Sequence, residues 1–322
     1  MKRKYLLLLL LTTLLTGCQS INGKKQESEK PTLTVTIEPL RYFTEAIAGN
    51  RFRVISMVPK GSSPETYDPT PQQFMELSKS RAYLRIGYIG FEQTWMDKLT
   101  DNAPHLPFYD MSEGVELIRD EEHKHEAHPH SHEAATPGNY RENEEHNHTS
   151  EVEEHHHHHH GGVEPHIWNS PSNAQIIAEN ILKVLCALDK EGTKEFTARH
   201  DSLQNAILRT DSLACALLST PDSDRAFMIY HPALSYFARD YGLLQISIEE
   251  GGKEPSPAQL KKLIDRCREE EVHVIFVQPE FDRRNAEIIA KQTGTRVVPI
   301  NPLAYEWHEE MLNTARALSN NP

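Results

Sequence analysis

Three residues carry side chains that can do chemistry together. Glu65 lies in Gly61-Ser62-Ser63-Pro64-Glu65-Thr66-Tyr67-Asp68-Pro69-Thr70, His166 in Glu164-Pro165-His166-Ile167-Trp168, and His231 in Tyr230-His231-Pro232-Ala233. Each falls where an expected strand ends or an expected helix begins. Two imidazoles and one carboxylate from three chain-distant loops can form one face of a divalent-metal site; zinc accepts such nitrogen and oxygen donors at about 2.0–2.2 Å. The neighbouring prolines limit the freedom of these loops, and a rigid scaffold can aim loop residues for such a role. Taken singly, a histidine beside proline is more often a turn or packing residue, and a loop glutamate is more often solvated. Spacing alone leaves those readings open.

A second feature concerns metals more loosely. Residues 121–160 hold ten glutamates and thirteen histidines: His123, His125, His128, His130, His132, His146, His148, His155, His156, His157, His158, His159 and His160. Imidazole suits zinc, copper and nickel at neutral pH. The stretch has almost no large apolar residues, so nothing offsets the entropy of ordering it. It reads as a disordered, metal-attracting loop. A purification tag explains it poorly, because the run of six histidines sits mid-chain and the others lie outside it.

The start of the chain reads as an address. Lys2, Arg3 and Lys4 precede an apolar run, Leu6 to Leu15, too short to span a bilayer comfortably and shaped like a secretory signal. It ends in Leu15-Thr16-Gly17-Cys18, which resembles a bacterial lipobox. That implies a signal peptide over residues 1–17, acylation of Cys18, and a polar tether over 18–31. Several acyl chains give firm membrane anchoring. Loss of the three leading cations takes the net charge from −13 to −16. Such a chain repels nucleic acid phosphates and suits cations. Cys186, Cys215 and Cys267 show no CxxC spacing and read as buried thiols in helices, with one disulfide of undeducible pairing as the alternative in an oxidising compartment.

Elements must position the three candidate donors. Short β-rich runs at 33–37, 52–58 and 82–86 alternate with helical stretches at 40–48, 71–78 and 91–99. After the histidine-rich loop, a nearly strand-free helical segment covers 171–218. Alternation then resumes: strands at 226–230, 243–248, 272–277 and 296–300, and helices at 232–241, 257–271, 283–293 and 307–319. Strands alternating with helices argue for parallel βαβ units. The expected fold is α/β: an N-terminal lobe over 32–170 (with the loop at about 119–162) and a C-terminal lobe over 219–322. Each lobe has a mostly parallel sheet flanked by helices, and a long α-helix joins them. Ligands in such sheets bind at the carboxyl ends of strands, so the metal site belongs in the interlobe cleft.

At these residues the chain resembles the metal-specific solute-binding lipoproteins of bacterial ABC importers, of the zinc and manganese uptake type. That family reads G-A-S-P-H-x-Y-x-P-T around its first ligand, and Gly61 to Thr70 matches with Glu65 in place of histidine. Its D-P-H-x-W-x-x-P motif matches Glu164 to Pro171, with His166 on the ligand position. Its H-P-A-x-x-Y-F-A-x-x-Y-G-L motif matches from His231, again on the ligand position. Glu254-Pro255-Ser256-Pro257 matches E-P-S-P, and Asn301-Pro302-Leu303 stands where D-P-L is usual. Zinc-type members carry a histidine-rich acidic loop just before the second ligand, as this chain does.

The resemblance implies a high-affinity extracytoplasmic zinc-binding protein. It would be lipid-anchored at the periplasm or cell surface, monomeric, and would hand its ion to a membrane permease and ATPase. It implies Glu65, His166 and His231 as metal ligands, with Asn301 as a fourth or supporting group; water or one imidazole of the histidine-rich loop are the other candidates for the fourth position. Fewer imidazoles and more oxygen favour Mn2+ or Fe2+ slightly; the histidine-rich loop favours Zn2+. The alternatives are a manganese or iron member of the family, or a zinc buffer or adhesin without a transporter. A zinc hydrolase is set aside, because there is no HExxH and no convincing general base, so no enzyme is expected. Glu164, His105, His200, His273 and His308 read as structural or surface residues.

Overall fold

The computed structural model describes residues 30–119 and 162–319. Cys18, the leader and all thirteen clustered histidines lie outside the described residues. Among the described residues, no helix is long and apolar enough to cross a membrane.

The N-terminal lobe runs β1 (Thr32–Val35), α1 (Glu38–Ala48), β2 (Arg53–Ser56), α2 (Pro71–Leu77), β3 (Ala82–Arg85), α3 (Gly90–Asn102) and β4 (Phe108–Asp110). Two packed helices follow, α4 (Pro171–Leu188) and the 26-residue α5 (Thr193–Leu218), separated by a 3-10 turn at Lys190–Gly192. The C-terminal lobe runs β5 (Ala226–Ile229), α6 (Ser235–Tyr241), β6 (Leu244–Ser247), α7 (Pro257–Glu269), β7 (Val274–Val277), α8 (Arg284–Thr293), β8 (Arg296–Pro299) and α9 (Trp307–Leu318). Each lobe holds one parallel four-stranded sheet, in the orders β2-β1-β3-β4 and β6-β5-β7-β8. The inner strands β5 (AFMI) and β7 (VIFV) are buried throughout, as expected of strands covered by helices on both faces.

Helix starts follow local chemistry. Thr70 and Ser256 each form a capping box with the glutamine three residues on, and Ser170 accepts a hydrogen bond from Asn173 N ahead of Pro171. Strand β4 is absent from the sequence expectation. It is three half-buried residues at a sheet edge, too short to show any periodicity.

The lobes are not independent bodies. One hydrophobic core runs from β1 and α1 through α4, α5 and α9 to Phe227, Val274 and Phe276 of the second sheet. Two buried indoles tie the lobes further: Trp168 Nε1 donates to Pro302 O at 2.7 Å, and Trp307 Nε1 donates to Trp168 O at 2.7 Å. Asn169 Nδ2 adds a bond to Ala233 O at 2.9 Å. Of the three helical cysteines, Cys267 is buried, but Cys186 is only half-buried and Cys215 is exposed. The expectation of three buried thiols therefore fails at Cys215, which sits on the solvent side of α5.

Candidate metal centre

Strand β5 ends at Ile229, and His231 follows two residues later, directly ahead of Pro232. Both neighbouring strands brace it. On one side β5 pairs with β6 in the register Ile229↔Ser247, which carries Glu249 level with His231. Glu249, only 7% exposed, meets His231 Nδ1 at 2.7 Å. On the other side, Gln278 just past β7 accepts from His231 N at 3.3 Å and donates to His231 O at 2.6 Å. Phe281 stacks on the imidazole at 5.3 Å and 17°.

His166 is set by a different device. Its segment closes the base of residues 120–161, through a bridge between Arg119 and Val163 and a bond from Glu164 N to Ile118 O at 2.9 Å. Tyr236 of α6 clasps both sides: its hydroxyl donates to Glu164 O at 2.8 Å and accepts from Ile118 N at 3.1 Å. The Glu164 carboxylate contacts His166 Nδ1, accepts from His166 N at 3.1 Å and accepts from the Ser235 hydroxyl at 3.1 Å. Trp168 meets the buried imidazole edge-on.

Glu65 lies nine residues past β2, in a loop tied back by Gln73, whose Nε2 donates to Met57 O at 2.6 Å. Its carboxylate packs against the first residue of α3. A Cβ built on Gly90 would fall 2.2 Å from Glu65 Oε2.

These three elements converge. One donor atom from each of Glu65, His166 and His231 lies within 4.8 Å of the other two. The two Nε2 atoms are 3.2 Å apart. That separation is close to the roughly 3.3 Å edge expected for two nitrogens on a tetrahedral ion at about 2.0 Å. With each Nδ1 directed at a carboxylate, each Nε2 lone pair is free to face the pocket, the orientation that carboxylate partners impose on metal-binding histidines. Ser63, Trp168, Gln278, Glu280, Phe281, Pro302 and Leu303 complete the pocket wall.

Charge follows from this packing. Burial alone would pull His166 down. The Glu164 carboxylate, with help from Glu65 and Glu249, outweighs burial and holds the imidazole above its ordinary value. Burial likewise pushes Glu164 up, but the imidazole beside it prevails and holds the carboxyl below its ordinary value. Burial raises Glu280, against the pull of its own backbone N–H and of nearby His231.

Over residues 33–320 the chain matches the family model for zinc-uptake complex component A, periplasmic. The chain belongs to this family. It is 26% identical over 310 residues to the zinc-binding lipoprotein AdcA of Streptococcus pneumoniae, a match that takes in 94% of this chain and 56% of the relative. The chain thus spans just over half the length of that relative. Across 300 residues it is 25% identical to the iron ABC transporter substrate-binding lipoprotein MtsA of Streptococcus pyogenes, covering 87% of this chain and 82% of MtsA. A crystal structure of ZnuA superposes with a TM-score of 0.74 at 31% identity, over 90% of this chain and 98% of that one.

The remaining sequence candidates fall elsewhere in this member of the family. Asn301 turns into its own loop: Oδ1 accepts from Leu303 N at 3.1 Å, and its backbone N donates to Glu310 at 2.6 Å. Pro302 and Leu303, its neighbours, line the pocket instead. His200 is buried beside Gln204, His273 pairs with Asp224 and His308 with Thr210; His105 is exposed. Glu164, set aside by sequence as structural or surface, touches a candidate ligand directly. Sequence reading missed Glu249 altogether. Its signal was a carboxylate two residues past a strand, but only the β5–β6 pairing says which strand end it meets.

Proposed function

We propose that this protein captures a divalent metal ion outside the cytoplasm and delivers it to an ABC-type permease and its ATPase, with zinc as the cargo. The observation that carries the reading is the convergence of Glu65, His166 and His231 on one pocket, with both Nε2 atoms at near-tetrahedral spacing. Two neutral imidazoles and one carboxylate give the ion three donors. Glu164 and Glu249 fix the imidazoles in the tautomer that presents Nε2, so little ordering remains to oppose binding. Family membership and the names of the relatives, zinc-binding AdcA and the zinc-uptake model, support zinc. Glu65 in place of a third imidazole adds oxygen, which supports Mn2+ or Fe2+ as secondary cargo; a relative named for iron is consistent with that.

Because the lobes share one core, loading and release work through the loops that carry the ligands rather than through a wide hinge. Cys18 anchors the protein by acylation, the histidine-rich segment collects metal at low affinity, and the protein works as a monomer. The decisive experiment is titration of chelator-stripped protein with Zn2+ against a competing chelator. One tight site is expected, lost in His166→Ala and His231→Ala and retained when residues 121–160 are deleted. Tight binding that survives both histidine substitutions refutes the site; loss on loop deletion refutes the division of labour. Release of Cys18→Ser protein from membranes checks the anchor.

A further inference from the structure

The triad leaves the ion short of one donor, because a tetrahedral ion wants four. Asn301 does not make up the difference, since its amide oxygen is taken by Leu303 N. The pocket wall offers three further side chains with oxygen. Gln278 has both amide atoms occupied by the His231 backbone, and the Ser63 hydroxyl accepts from Glu65 N at 3.2 Å. Glu280 is the third, and it is the only other carboxylate that lines the pocket among the described residues.

Its place in the chain suits the role. Glu280 sits between Gln278, which clamps the His231 backbone, and Phe281, which stacks on the His231 ring. The segment bearing it is therefore held against a ligand on both sides, while its own carboxylate is half-buried. It lies outside the 4.8 Å cluster, so it has to rotate about its side-chain bonds to reach an ion held there. The backbone is already in position.

We propose that Glu280 is the fourth donor, turning from the pocket wall onto the ion once Glu65, His166 and His231 have engaged it. This rests on the reading of those three residues as a metal site. The completed site is two nitrogens and two carboxylates around a dication, with Glu164 and Glu249 behind the imidazoles. An oxygen-rich set of this kind also raises affinity for Mn2+ relative to a three-imidazole site.

The test uses the chelator-stripped protein with Glu280→Gln, Glu280→Ala, Glu65→Gln and His231→Ala. Two readouts apply: competitive Zn2+ titration, and the visible absorption of Co2+ at substoichiometric loading, whose intensity reports coordination number. Glu280→Gln keeps size and removes the anionic donor. It is expected to lower Zn2+ affinity by at least about tenfold, lower Mn2+ affinity by more, and change the cobalt spectrum, with the metal-free melting temperature unchanged. If both Glu280 variants keep wild-type affinity and spectrum while Glu65→Gln and His231→Ala lose binding, Glu280 is not a ligand and the triad stands. If all four bind as the parent does, the metal site itself lies elsewhere and both readings fall.

Discussion

The two lobes repeat one topology and spend it differently. In both, the first strand is central, the second lies on one side, and the third and fourth lie on the other. In the C-terminal lobe, the ends of the first three strands converge on one histidine: His231 after β5, Glu249 on its ring after β6 and Gln278 on its backbone after β7. The equivalent position after β1 in the N-terminal lobe is Ile37, which is 1% exposed and begins α1. There the buried carboxylate near the strand ends, Glu92 of α3, turns inward. It accepts from the Thr36 hydroxyl, from Ile86 N at 2.8 Å and from Gly87 N at 2.5 Å. Polar groups at the strand ends hold the lobe together in one case and hold a ligand in the other. Of the two donors from before α4, Glu65 reaches the pocket on a long loop, whereas His166 comes from the braced segment just ahead of that helix. The imidazole side should therefore be preorganised and the Glu65 side adjustable.

The largest effect belongs to the preorganised side. Spreading the roughly 10–16 kcal/mol typical of a structural zinc site over four donors gives about 3 kcal/mol each. His231→Ala or His166→Ala should thus weaken Zn2+ binding roughly a hundredfold or more in a competitive titration. Glu65→Gln, which keeps an oxygen but loses the charge, should cost less; an equal or larger loss would invert the comparison.

Acid should unload the site next. Protons and metal compete for Nε2, and Glu164 holds His166 above its ordinary value, so competition begins above about pH 6.5. Zinc affinity should fall by roughly tenfold per pH unit for each imidazole titrated as pH drops toward 5. The metal-free protein responds in the opposite sense. His166, with its pKa raised on folding, contributes stability below its unfolded value and loses it as pH rises through the folded value. Glu164, with its pKa lowered, contributes above its unfolded value and loses it as pH falls through the folded one. The pair therefore stabilises the metal-free fold between those two limits, where the zinc-loaded form is losing its ion.

Glu249→Gln removes the carboxylate behind His231 without touching the ion, and a loss of about 10–100-fold is expected. The counterpart in the other lobe, Glu92→Gln, should leave zinc affinity within about twofold and act on stability alone. Burial pushes Glu92 up to about 7 from an ordinary 4.5, against the bonds from Thr36, Ile86 and Gly87. The folded state thus binds more protons than the unfolded state across that window, and stability falls as pH rises from about 4.5 to 7. At about 1.4 kcal/mol per pH unit this is of the order of 3 kcal/mol. Chemical denaturation at pH 5 and pH 8 should show that slope in the parent and not in Glu92→Gln. A zinc-affinity loss in Glu92→Gln would erase the distinction between the lobes. The smallest loss of affinity expected of a change at the site is that of Gly90→Ala, whose methyl displaces the Glu65 carboxylate by contact at 2.2 Å. A several-fold affinity loss with unchanged cobalt coordination is expected if that arm yields.

Most of the fold could be read from the chain, because buried parallel strands announce themselves as apolar runs such as Phe227–Ile229 and Val274–Val277, and capped helices as Thr70-Pro71 or Ser256-Pro257. Strand β4 could not, since its three residues are defined by pairing with β3. The three candidate donors were legible through their motifs and their places at element ends. Their partners were harder. Glu164 is adjacent in sequence to its imidazole and could have been suspected. Glu249 and Gln278 are 18 and 47 residues from His231 and meet it only through sheet order.

Sequence alone determined all the strands but β4, the parallel alternation and the residue types able to bind a cation, because these depend on local periodicity and on the chemistry of single side chains. Tertiary structure decided which carboxylate faces which nitrogen. Asn301 is turned away, Glu249 is turned in and Glu280 is left at the pocket edge because strand register and loop packing set distances between residues far apart in the chain.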